Sequence, residues 1–151
     1  RAPASWSSIP ITGGLLTSEY YPLTLEFPAD TFTETTYVYL RPRFYGNMPV
    51  TFRTIGADYY FDLTMSASSG LKQPLKPYQV EWQYAPADFP GIDENTLGLF
   101  YWDGVRWVRE PSSAVDTAAN VVSASPQHAS LWALLAERQG VQEIFLPLIN
   151  R

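Results

Sequence analysis

Thr96-Leu-Gly-Leu-Phe-Tyr-Trp-Asp-Gly-Val-Arg-Trp-Val-Arg-Glu110 decides the fold class. Leu97, Leu99 and Tyr101 alternate with their neighbours and share one face of an extended strand, and Val105 and Trp107 share another. Between the two runs lies Asp103-Gly104, a dipeptide that favours a type I′ turn, so Thr96 to Glu110 reads as a tight β-hairpin. Trp102 has the opposite parity to Leu99 and Tyr101 and is expected on the exposed face.

Working outward, the same period of two recurs. Leu23, Leu25 and Phe27 alternate with Thr24 and Glu26, and Val80, Trp82 and Tyr84 alternate with Glu81 and Gln83. Thr35 to Leu40, the stretch around Val50, Phe52 and Ile55, Tyr59 to Met65, and Val121 to Ala124 are further β-branched and aromatic runs. Ser130 to Leu135 is read as the closing strand, although Leu131 to Gln139 would also suit a short helix. Pro, Gly, Asn and Asp break the runs at short, fairly even intervals, and 13 prolines disfavour long helices. The predicted fold is all-β, an antiparallel β-sandwich of immunoglobulin-like or related type with extended terminal strands.

The 151 residues fit one sandwich domain, placed at residues 20–136. Residues 1–19 read as an N-terminal extension and candidate exchanged strand, and 137–151 as a polar connector with an apolar C-terminal strand. With 46% hydrophobic and 15% aromatic residues, the chain has ample material for a core. A net charge of −5 and the lack of any Lys/Arg cluster argue against nucleic acid and anionic membrane as partners. No apolar run is long enough for a membrane-spanning helix. Cysteine is absent, which removes thiol nucleophiles and thiolate metal sites. The chain starts at Arg1, a start that either a removed signal peptide or a fragment boundary would explain.

Chemistry-bearing patterns are sparse. His128 is the single histidine, and no nucleophile elbow, phosphate-cradling loop or metal spacing accompanies it. Asp88, Asp93 and Glu94 are the closest carboxylates; the loop Asp88 to Asn95 could offer oxygens to Ca²⁺ but matches no EF-hand pattern, and the simpler expectation is that Asp93 or Asn95 caps a turn. No catalytic residue, metal site or cofactor is assigned, and the chain is read as not an enzyme. Tyr20, Tyr21, Trp82, Tyr84, Tyr101, Trp102 and Trp107 are of the type that stacks on sugars, with Trp102 the ligand-facing candidate; Trp82 and Tyr84 also fit a sandwich core. The apolar ends carry a different reading. Ile144, Phe145, Leu146, Leu148 and Ile149 form a strand that must be covered, on its own sheet or on a neighbour's edge. Pro147 suits an edge or exchanged strand. Ile9, Ile11, Leu15 and Leu16 are the alternative donor.

Three segments add a resemblance. Leu25-Glu-Phe-Pro-Ala-Asp-Thr-Phe-Thr-Glu34, Leu97-Gly-Leu-Phe-Tyr-Trp-Asp-Gly-Val-Arg-Trp-Val108 and His128-Ala-Ser-Leu-Trp-Ala-Leu-Leu135 resemble a recurrent domain of large secreted bacterial proteins. That domain is similar to the β-sandwich shared by ankyrins and netrin receptors. Phe145-Leu-Pro-Leu-Ile149 is similar to a terminal ending common in exported proteins of green non-sulfur bacteria. The resemblance spans residues 22–136 and implies a non-enzymatic extracellular or cell-surface module. Some eukaryotic relatives of this type cleave themselves at His-Phe-Ser; the matching positions are His128, Ala129 and Ser130, with Ala in place of Phe. The expected function is thus an extracellular structural protein, a homopolymer or surface-layer subunit joined by strand exchange. A glycan-binding or adhesion module and a self-cleaving domain are the alternatives.

Overall fold

The computed structural model describes residues 4–43, 52–54, 59–88 and 90–139. They form two antiparallel sheets and two short 3-10 turns, Pro86–Asp88 and Glu94–Thr96. The strands are β1 (Ser5–Ile9), β2 (Gly14–Thr17), β3 (Leu23–Phe27), β4 (Thr36–Arg43), β5 (Phe52–Thr54), β6 (Tyr60–Ala67), β7 (Gly70–Leu71), β8 (Gln79–Gln83), β9 (Gly98–Trp102), β10 (Trp107–Arg109), β11 (Ala114–Asp116), β12 (Val121–Ala124) and β13 (Leu131–Glu137). The first sheet runs β1-β4-β6-β13-β9-β10, with β5 on β13 and β7 on β6; the second runs β11-β12-β8-β3-β2. The all-β sandwich read from the sequence is the fold observed.

The alternating runs bury one face each, as a half-covered sheet requires. Leu23, Leu25 and Phe27 of β3 and Val80 and Trp82 of β8 meet Val38 and Leu40 of β4, Leu63 and Met65 of β6, and Trp132 and Leu134 of β13 between the sheets. Trp82 is fully buried and ringed by Tyr21, Tyr59 and Phe61. Tyr84 also lies in this core, and its hydroxyl donates to Glu94 Oε2 at 2.6 Å. Burial, and then that hydrogen bond, push the Tyr84 hydroxyl well above its ordinary range.

β13 departs from period two because Trp132 to Ala136 are all buried. Trp132 and Leu134 face the main core, while Ala133 and Leu135 join Tyr60 and Phe100 in a smaller cluster on the other face. Phe52 of β5 and Trp107 of β10 pack over that second cluster. A strand covered on both faces reads as a continuous apolar run, which is the reason this stretch resembles a helix in sequence.

The hairpin is present, with Trp102 opposite Trp107 and Tyr101 opposite Val108. Its turn differs from the type I′ expectation. Gly104 has φ +103°, but Val105 is not in the left-handed region that a type I′ turn needs at its second position. A β-branched side chain resists that region. The Asp103 carboxylate holds the turn instead, accepting the N–H groups of Val105 and Arg106 at 2.8 Å each. The Arg106 and then the Val105 hydrogen bonds hold this carboxyl below its usual range.

At the other end of β9, Arg109 donates to the carbonyls of Thr96 (3.2 Å) and Leu97 (3.1 Å). The guanidinium fits because Gly98 has no side chain: a Cβ there would lie 2.3 Å from Arg109 Nη1. The clashing atoms are the far end of a flexible, exposed side chain that can swing aside at the loss of its two hydrogen bonds, so Gly98→Ala is expected to destabilise by no more than about 1 kcal/mol. In an Arg109→Ala background the same change should cost almost nothing, a coupling that a double-mutant denaturation cycle reads directly.

Candidate functional site

β1 and β2 are consecutive in sequence but belong to different sheets. The chain crosses at Pro10–Gly13, a turn closed by Gly13 N–H to the Pro10 carbonyl at 3.0 Å. β1 pairs β4 from Ser5↔Leu40 to Ile9↔Thr36, and β2 pairs β3 from Gly14↔Phe27 to Thr17↔Thr24. Among the described residues each is the last strand on its side, so one flank of the sandwich carries two edge strands in succession.

The four N-terminal residues singled out in the sequence separate here. Ile9 and Leu16 point inward and belong to this chain's own core. Ile11 and Leu15 point outward, with Leu15 57% exposed. The segment set apart as an extension is therefore built into both sheets. Its first strand escapes a hydrophobicity reading because the polarity is inverted: Ser5 is buried while Trp6 is 59% exposed. The buried Ser5 hydroxyl accepts the Glu19 N–H at 2.9 Å, which satisfies it. Trp6 packs its ring beside Tyr37 and Tyr39 of β4, at centroid separations of 6.3 and 6.4 Å. This outward aromatic group was not singled out in the sequence; its signal is the matched parity of Trp6, Tyr37 and Tyr39.

The two edge strands carry no charged residue. Between Arg1 and Glu19 the sequence has no Asp, Glu, Lys or Arg. Edge strands are ordinarily blunted by charge, shortness or twist, because their free N–H and C=O groups template further pairing. The opposite flank is blunted in this way: β10 and β11 have three residues each, and Asp103, Arg106, Arg109 and Asp116 lie on or beside them. Ile144, Phe145, Leu146, Leu148 and Ile149, the other donor candidates, lie outside the described residues.

The sugar-type aromatics also divide. Trp82, Tyr84 and Tyr21 are core residues. Trp102 is 39% exposed at the hairpin end, edge-on to the half-buried Trp107 at 5.4 Å. The carboxylates of the 88–94 stretch each have a partner in the chain. Asp88 accepts from the Tyr59 hydroxyl, Glu94 from Tyr84, and Asp93 Oδ1 from the Asn95 N–H as the cap of the second 3-10 turn. Among the described residues no three His, Asp or Glu side chains converge as a metal site, and no helix is long and apolar enough to cross a membrane.

His128 is not isolated. Its Nδ1 lies 2.8 Å from Ser130 Oγ and its Nε2 lies 3.5 Å from Glu110 Oε1. Glu110 is 110th in the chain and enters this group only through the fold, so sequence spacing carries no sign of it.

No protein-family model matches the chain, and no curated protein matches it.

Proposed function

We propose that this chain is an extracellular structural module that assembles with copies of itself by strand addition at the β1/β2 flank. One observation carries the reading: among the described residues, two edge strands in succession, neither with a charged side chain, and the turn between them present Trp6, Ile11 and Leu15 to solvent. The donor in this proposal is the apolar stretch 144–149, Ile-Phe-Leu-Pro-Leu-Ile, of a neighbouring copy. An added strand gains main-chain hydrogen bonds along the edge. Each large side chain it buries contributes on the order of 1.5–3 kcal/mol. The contact is heterologous, tail to flank, so repetition without closure gives a filament. The extracellular setting is supported by the resemblance of residues 22–136 to a domain of secreted bacterial proteins.

Deleting residues 143–151 is expected to abolish higher assemblies seen by electron microscopy while leaving the β-sheet circular dichroism intact. Assemblies unchanged by the deletion would remove the stretch 144–149 as donor.

A further inference from the structure

Glu110, His128 and Ser130 meet where two loops pass between the sheets. Residues 110–113 lead from β10 of the first sheet to β11 of the second, and residues 125–130 lead from β12 back to β13. The Glu110 carboxylate is buried, and its Oε2 accepts the Ser112 N–H (3.3 Å) and hydroxyl (2.8 Å). Its Oε1 is left facing His128 Nε2 at 3.5 Å. At 3.5 Å this is an ion-pair contact rather than a hydrogen bond, and a carboxylate there favours the tautomer protonated on Nε2. In that tautomer Nδ1 presents its lone pair to the Ser130 hydroxyl, 2.8 Å away.

The surroundings hold this order. Tyr101 packs edge-on to the imidazole at 4.6 Å and Trp132 lies against it at 4.9 Å. The Tyr78 hydroxyl donates to the His128 carbonyl (2.7 Å), Ala129 N–H donates to Gln73 Oε1 (2.9 Å), and Leu63 N–H donates to the Ser130 carbonyl (3.0 Å). The backbone around Ser130 is thus tied to β6 and to the segment between β7 and β8, and neither Ala129 nor Ser130 has a positive φ. The His128 side chain keeps about a third of its surface in solvent, and Ser130 is partly exposed, so the relay opens outward.

We propose that Ser130 is an activated nucleophile that accepts acyl groups from small activated esters. Such relays are recognised by geometry and roles, and a serine activated by an imidazole needs that base within hydrogen-bond reach. Ser130 Oγ forms a bond to the ester carbonyl carbon while its proton passes to His128 Nδ1. The imidazolium is stabilised by Glu110, which acts as a positioning residue. The ester C–O bond breaks, and the leaving alkoxide takes the proton from Nδ1. The products are acyl-Ser130 and the free alcohol. Water attacking the acyl carbon, with its proton taken by Nδ1, returns Ser130 and releases the acid. This inference does not depend on the assembly proposed above.

The test uses a fluorophosphonate, in which Ser130 Oγ bonds to phosphorus and fluoride departs. Intact mass and peptide mapping are expected to find one adduct per chain, on Ser130. His128→Gln should slow labelling by about 100-fold or more, with unchanged circular dichroism. Should that variant fold poorly, His128→Ala with added imidazole provides the second measurement, and recovery of labelling supports the relay. Three results overturn the proposal: no adduct at Ser130, equal labelling in the folded His128→Gln protein, or an intact mass split into two fragments at Ala129–Ser130. The last would assign the same relay to the chain's own peptide bond.

Discussion

Trp82→Ala is expected to lower the unfolding free energy by about 3–5 kcal/mol, read as a shifted denaturant midpoint at unchanged slope. Trp82 lies on the central strand of the second sheet and is fully buried. Tyr59 stacks on its indole at 5.6 Å with planes 8° apart, and Tyr21 and Phe61 meet it at 5.0 and 5.2 Å. Truncation removes the surface on which these three rings converge. The indole N–H has no hydrogen-bond partner among the described residues, so Trp82→Phe, which deletes that donor and keeps an aromatic plane, should cost much less. A loss under about 1 kcal/mol in Trp82→Ala would contradict this account of the core.

The second large effect is expected from removing residues 1–18: the shortened chain should not fold as a monomer. The deletion takes Ile9 and Leu16 out of the core, each contributing roughly 1.5–3 kcal/mol through burial. It also strips the β4 and β3 ladders of their outer partners and removes Ser5 and Ser18. Those hydroxyls accept the N–H groups of Glu19, Tyr20 and Tyr21. Together these losses are comparable with the whole stability of a domain, about 5–15 kcal/mol. Circular dichroism and hydrogen exchange report the outcome. A shortened chain that unfolds cooperatively at the native midpoint would show the segment to be dispensable.

The parts of this molecule that follow local rules are legible in its sequence. β3, β8 and β9 announce themselves because alternate residues meet one core, and the Asp103-Gly104 dipeptide marks a turn whatever its type. Trp102 is outward in both readings, since parity alone decides it. Elements set by tertiary cover are less legible. β13 looks helical because both its faces are buried, and β1 is hidden because Ser5 faces in and Trp6 faces out. The two-residue β7 and the three-residue β11 are too short to carry a period. The partnership of Glu110 with His128 and Ser130 depends on two loops crossing between sheets. The split of Ile9 and Leu16 from Ile11 and Leu15 shows the same limit: composition identified an apolar segment, and the turn at Pro10–Gly13 decided which residues face solvent.

That exposed flank is the centre of the functional account, and light scattering on the native protein tests it most directly. The wild type is expected to form species larger than one chain, growing with concentration. A Trp6→Lys/Leu15→Lys protein should be monomeric with a nearly unchanged unfolding midpoint, because both side chains are exposed and lysine on an edge strand opposes strand addition. A wild type that stays monomeric, or a lysine variant that assembles equally well, would contradict the account.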